Sequence, residues 1–215
     1  TTNTNVNGTL SVLEASKRAD VRRVIYSSTS SSYGHGHVPN HESLPEDCLT
    51  PYSVSKVTGE KLCRVYSDLY NLETVVLRYF NVYGDRSPLR GHYAPVIGKF
   101  LMQKKNNMPL TIIGDGSQTR DFTHISDVVD ANILASVCVL PIAKQCVFNI
   151  GTGKPISIKE LADIISGDQV HLRKRPGEVQ DTQALNAKAR TVIGKDKYVD
   201  LREWLKEELE KQNEN

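Results

Sequence analysis

A tyrosine and a lysine four residues apart, Tyr52 and Lys56, can do chemistry together if a helix carries them. At that spacing they share one helix face. Pro51, immediately before them, suits a first helical turn because it has no N–H to satisfy and a preset φ. A lysine ammonium beside a phenol favours the phenolate, and a phenolate can take the proton of an alcohol. Upstream, the run 27–32 is rich in hydroxyls and contains Thr29. Tyr-x-x-x-Lys also arises by chance in many helices, so its surroundings have to carry the reading.

Those surroundings are the elements that would hold the three side chains. Val24, Ile25 and Tyr26 form a short apolar, β-type run over 21–28 that would deliver Thr29 at its end. A helix is expected over 51–70, with Val54, Val57, Leu62, Val65 and Leu69 among its apolar positions. Before the strand, residues 6–19 read as a helix burying Val6, Leu10, Val12 and Leu13. Residues 74–80 are β-branched and apolar enough for a strand buried on both faces, as parallel sheets require. Further on, the pattern predicts a helix over 93–106, a strand over 109–113, a helix over 127–140 and a strand over 146–150. Ser157 and Glu160 have capping-box spacing ahead of Leu161, Ile164 and Ile165, and a closing helix is expected over 201–213.

Strand, hydroxyl cluster, loop and Pro-Tyr-x-x-x-Lys, in that order, resemble the short-chain dehydrogenase/reductases. More narrowly, the chain resembles their extended branch, the NAD-dependent epimerases and dehydratases of nucleotide sugars, and within it the UDP-glucose and UDP-N-acetylglucosamine 4-epimerases. Four stretches carry the resemblance: 6–15, the Leu-Arg-Tyr-Phe-Asn-Val-Tyr-Gly run at 77–84, 118–129, and the Arg-Pro-Gly-Glu-Val-Gln-Asp-Thr run at 175–182. The implied fold is α/β: the C-terminal portion of a Rossmann-type parallel sheet domain, with a smaller α/β substrate lobe. Residues 1–86, joined by 120–150, would be the remainder of the NAD-binding domain, and 87–215 mainly the nucleotide-sugar lobe. Such proteins have a Gly-rich turn for the dinucleotide pyrophosphate, and no Gly-x-Gly-x-x-Gly occurs in these 215 residues. The chain therefore reads as a fragment, expected to hold NAD poorly and to be inactive alone.

The resemblance also implies roles. Thr29, Tyr52 and Lys56 would be catalytic, and Tyr52, Lys56 and Phe80 would meet NAD. The UDP-sugar would meet Asn81, Val96, Thr111, Ile113, Arg120, Arg175, Glu178 and Thr182. Arginine's planar fork suits two phosphate oxygens at once, which favours Arg120 on the diphosphate, against an ion pair with Asp121. A carboxylate can accept from two vicinal hydroxyls, which suits Glu178 to a ribose. For Phe80 and Asn81 the competing readings are core packing and a strand-end turn. The implied reaction inverts C4 of a UDP-hexose through a 4-keto sugar. A uronate decarboxylase is the alternative. A 4,6-dehydratase is disfavoured because Ser30, Ser31 and Ser32 stand where that reaction needs an Asp-Glu pair.

Several classes are disfavoured by the totals. A net charge of +2 with both signs interspersed gives no reason to expect nucleic acid or a membrane surface. No apolar run approaches the roughly 20 residues that span a bilayer. Cys48, Cys63, Cys138 and Cys146 lack Cys-x-x-Cys spacing and read as reduced thiols of a cytoplasmic protein. His35, His37, His41 and Glu42 invite a metal, but the glycine and prolines around them favour a solvated loop, and no metal site is assigned. Gly151-Thr152-Gly153-Lys154 is not a phosphate loop, because Phe148 occupies the position of its first glycine. A homodimer through the Tyr-Lys helix is the expected assembly.

Overall fold

The computed structural model describes residues 1–88, 94–140, 145–174 and 178–213. Its centre is a parallel sheet of three strands, β1 (Arg23–Thr29), β2 (Glu73–Tyr79) and β7 (Gln145–Ile150), in the order β1-β2-β7. β2 is the middle strand, and Val75, Val76 and Leu77 are wholly buried, as a parallel strand covered on both faces requires. Register aligns Thr29 with Tyr79 and Tyr79 with Ile150, so all three strands end level. Ligands of open parallel sheets bind at that carboxyl edge.

One face of the sheet carries α1 (Thr9–Arg18), entered through a wider helical turn over 3–8, and α2 (Pro51–Tyr70). Leu13, Tyr26, Cys63, Tyr66, Leu72 and Val76 form the core between them. α2 starts where the sequence places it because Thr50 Oγ1 accepts the Ser53 N–H and Ser53 Oγ accepts the Thr50 N–H, both at 3.1 Å, with Pro51 in the first turn. It ends at Asn71, which takes the left-handed conformation at φ 58°. The opposite face carries α4 (Ile125–Val137) and a helical turn over 189–193. Ala189 and Ile193 pack into the core with Val75, Leu77 and Phe148. This part of the 151–215 stretch therefore belongs to the sheet and not to the lobe. The buried Lys195 anchors it, its ammonium donating to Asp127 Oδ1 at 2.8 Å.

The second core gathers α3 (Val96–Lys105), β4 (Leu110–Ile113), α5 (Ile158–Ile165) and α6 (Leu201–Asn213), with β9 (Gln169–Leu172) parallel to β4. Phe100, Leu110, Ile112, Leu161 and Leu205 are fully buried there. Four two-residue strands stitch it to the sheet: β3 (Val82–Tyr83) pairs with β6 (Thr123–His124), and β5 (Thr119–Arg120) with β8 (Ile156–Ser157). Ser157 Oγ accepts the Glu160 N–H at 3.0 Å, but the Glu160 carboxylate pairs with Arg202 of α6, so half the capping box serves a tertiary contact.

The expected inner faces of the first two helices need correcting. Leu13 is fully buried, but Leu10 and Val12 are exposed, and on α2 Val57 is buried while Val54, Val65 and Leu69 are exposed. Each helix covers the sheet with a narrow stripe, so apolar residues beyond that stripe face outward.

Candidate active site

Thr29 closes β1 and caps the short turn that follows; its Oγ1 accepts the Ser31 N–H at 3.1 Å and donates to Ser31 Oγ at 3.1 Å. It is nearly buried, at 8% exposure. Tyr52, in the first turn of α2, is open to solvent at 45%. Lys56, one turn on, is half-buried, and its ammonium lies 4.4 Å from the centre of the Tyr26 ring. The Tyr26 phenol donates to the Lys56 carbonyl at 3.2 Å, so β1 grips α2 at the lysine itself. Gly59 admits that ring: a Cβ there would stand 2.1 Å from the Tyr26 oxygen. Burial lowers the Lys56 pKa, and the Glu60 carboxylate opposes this. Asn5 Nδ2 donates to Ser55 Oγ at 3.0 Å, holding the same helix from the other side.

The second part of the site is a cleft of about 480 Å³ between the sheet's carboxyl edge and the lobe, lined by Asn81, Val96, Thr111, Ile113, Arg120 and Glu178 together with Ala94, Lys99, Gln118 and Ile158. Five segments separated in sequence converge there. Asn81, at φ 25°, turns the chain out of β2, and its Nδ2 donates to the Asp121 carbonyl at 3.1 Å and to Thr182 Oγ1 at 3.2 Å. Thr182 therefore stands behind Asn81. Arg120 extends along the neighbouring segment: Nη1 donates to the Thr119 and Gln180 carbonyls, Nη2 to the Val179 carbonyl at 2.8 Å, and Glu178 Oε1 lies 3.6 Å from Nη2. Burial lowers the arginine's pKa, opposed by Glu178 and Asp181.

One competing reading falls away, one expected cofactor contact has no exposed surface, and one site residue lies outside the described residues. Asp121 is not the partner of Arg120: fully buried, it accepts from the Thr152, Gly153 and Ala184 N–H groups and from the Thr152 hydroxyl, tying the end of β7 to the strap at 184. Phe80 is wholly buried against Tyr33 and Ala184, so its ring packs the core and presents no surface to a cofactor. Arg175 lies outside the described residues. In the loop after Tyr33, His41 Nδ1 shares a hydrogen bond with Ser43 Oγ and Glu42 Oε1 accepts the Asn149 N–H, and no metal-binding cluster occurs among the described residues. No disulfide joins the four cysteines.

The motif reading had passed over Lys99, Gln118, Glu60 and Arg78. The last two had a signal: Glu60 continues the four-residue spacing of Tyr52 and Lys56, and Arg78 is a charge inside an apolar strand.

Comparisons with known proteins bear on the family and the fold. The sequence profile of the NAD dependent epimerase/dehydratase family matches residues 1–151. A UDP-glucose 4-epimerase of Mycolicibacterium smegmatis is 34% identical over 214 residues, covering 96% of this chain and 67% of its own length. The crystal structure of a UDP-glucose 4-epimerase with UDP-glucose from Thermotoga maritima superposes with a TM-score of 0.90 at 32% identity, covering 99% of this chain and 70% of that one. A UDP-glucuronic acid 4-epimerase from Bacillus cereus, in complex with UDP-glucuronic acid and NAD, superposes with a TM-score of 0.87 at 35% identity, covering 99% and 68%. The chain thus spans about two thirds of the length of the relatives it matches.

Proposed function

The chain belongs to the NAD dependent epimerase/dehydratase family, and from that premise we propose that the protein carrying it inverts C4 of a UDP-hexose through a 4-keto sugar. The observation that carries the reading is the convergence of Asn81, Val96, Thr111, Ile113, Arg120 and Glu178 on one cleft, at the sheet edge where β1 ends in Thr29.

The exposed phenol of Tyr52 and the half-buried ammonium of Lys56 fit the nicotinamide-ribose end of NAD. Bound there, NAD supplies acceptor and donor for the C4 hydride. Tyr52 takes the proton of the C4 hydroxyl and returns it to the 4-keto oxygen. Thr29 donates a hydrogen bond to that oxygen, and Lys56 holds Tyr52 in its reactive form while it grips the ribose. Inversion requires the sugar to turn over while the diphosphate stays anchored. Arg120 supplies that anchor, exchanging its contact with Glu178 for phosphate oxygens and freeing the carboxylate for ribose hydroxyls. Asn81 holds the diphosphate from the strand end, with Val96, Thr111 and Ile113 lining the nucleotide side. The small Thr182 behind Asn81 leaves room for an N-acetyl group. The two halves of this reading are the domains assigned above, with 189–193 moved to the sheet.

The experiment is incubation of the complete gene product with NAD and UDP-galactose or UDP-N-acetylgalactosamine, following the sugar by NMR. Interconversion of the C4 epimers supports the proposal. No inversion of either sugar, with carbon dioxide released from UDP-glucuronate, would replace it by decarboxylation.

A further inference from the structure

Glu60 and Arg78 form an ion pair with both side chains only 5% exposed. It joins α2 to the middle strand through two hydrogen bonds: Arg78 Nε to Glu60 Oε1 at 3.0 Å and Nη2 to Oε2 at 2.6 Å. Ser28 Oγ donates to the same carboxylate from β1. The guanidinium carbon lies 4.9 Å from the centre of the Tyr33 ring, and Nη1 has no hydrogen-bond partner among the described residues. Tyr33 donates its phenol proton to Asn149 Oδ1 of β7 at 2.6 Å. One buried polar network therefore touches α2, all three strands and the turn after β1.

Apolar residues of similar volume would hold such an interior together as well or better, since a buried pair gives back most of its attraction in lost hydration. What a bidentate pair adds is direction. Its members stand where direction matters: Ser28 precedes Thr29, Tyr33 closes the turn that Thr29 caps, and Glu60 shares a helix face with Tyr52 and Lys56. We infer that the Ser28–Glu60–Arg78–Tyr33 network is a positioning device for the proposed reaction, fixing the reactive face of α2 against the end of β1. None of its members touches the reacting atoms; they act through Lys56 and Thr29.

The same carboxylate also bears on the charge of Lys56. The titratable groups facing that ammonium are Tyr26 from β1 and Glu60 and Cys63 from its own helix. Burial pushes the Tyr26 phenol and the Cys63 thiol up to about 12, so both are neutral at working pH. Glu60 is the anion among the side chains that oppose the desolvation of Lys56.

The inference rests on the proposed reaction, but its test reads Lys56 without cofactor or substrate. In the double variant Glu60→Met/Arg78→Met the pair is replaced by apolar side chains; in Glu60→Gln the shape and one of the two Arg78 hydrogen bonds are kept while the charge is removed. Acylation of Lys56 is followed against pH by peptide mass spectrometry, with the exposed Lys206 of α6 as internal reference and thermal melting as the check on folding. The expected result is a cooperative melt in both variants, with Lys56 acylated at least about threefold faster than in the parent near pH 8 and Lys206 unchanged. In the turnover assay kcat falls at least about tenfold, with KM for the UDP-sugar little changed. If the double variant does not melt cooperatively, Glu60→Gln decides alone. A folded variant with the parent's Lys56 profile and kcat would overturn the inference. A parent inactive on every UDP-sugar would overturn the proposed reaction instead, and leave the labelling result standing.

Discussion

Tyr52, Lys56 and Thr29 differ in surroundings as their proposed tasks differ: an exposed phenol, a half-buried ammonium and a buried hydroxyl. Tyr52→Phe removes the proton acceptor and leaves the cleft residues untouched. Its kcat is expected to fall by about 10²–10⁴ with UDP-sugar affinity retained, measured by steady-state kinetics and calorimetry. Lys56 sets the alkaline side of the pH profile. Burial lowers its pKa, so ammonium is lost below the ordinary lysine range, and the descending limb of kcat should begin correspondingly early. For stability the sign is the reverse. Between the folded and unfolded pKa values the unfolded chain binds more protons, so this group's contribution to stability rises with pH. Arg120→Lys keeps the charge but loses the fork, and should raise KM for the UDP-sugar about tenfold with kcat little changed. Arg120, Asn81 and Glu178 were legible as residue types from their motifs. The fate of Phe80 was not, because a motif cannot tell a ring that faces a ligand from one enclosed by Tyr33 and Ala184.

At the scale of the elements, α2 was legible to its last residue because its boundaries are local chemistry: a reciprocal Thr50–Ser53 cap, a proline in the first turn and Asn71 in the left-handed conformation. Thr50→Ala should cost about 1 kcal/mol in chemical denaturation, more than an exposed mid-helix exchange. β2 and β7 were legible from their apolar runs. The two-residue strands and β9 were not: β9 is mostly exposed and exists because β4 pairs with it. The buried faces of α1 and α2 were misjudged for a related reason, since periodicity marks an apolar face but not how much of it a neighbour covers. The close approach of β1 to α2 was also invisible. It depends on Gly59 meeting Tyr26, and Gly59→Ala, with no room for a Cβ, should lower the melting temperature and loosen Lys56 together.

As a whole the chain sets a sheet whose strands end level beside a lobe with its own core, and the cleft forms where they meet. The packing of 189–193 on the sheet was not readable from the order of the motifs, because it depends on Ala189 and Ile193 fitting beneath Val75 and Phe148. No helix among the described residues is long and apolar enough to cross a membrane. Val54, Val65 and Leu69 form an exposed apolar face on α2, the helix through which the family resemblance implies a homodimer. Leu69→Asp should shift sedimentation toward the monomer. Without a Gly-x-Gly-x-x-Gly turn these 215 residues lack a helix N-terminus for the pyrophosphate, so calorimetry on this chain alone should detect no tight NAD binding. The central claim, inversion by removal and return of a hydride at C4, is tested most directly by giving the complete gene product NAD and a UDP-hexose deuterated at C4. The account predicts the C4 epimer with deuterium retained at C4, and loss of that turnover in Tyr52→Phe. An epimer whose C4 deuterium has been exchanged for solvent hydrogen would contradict it.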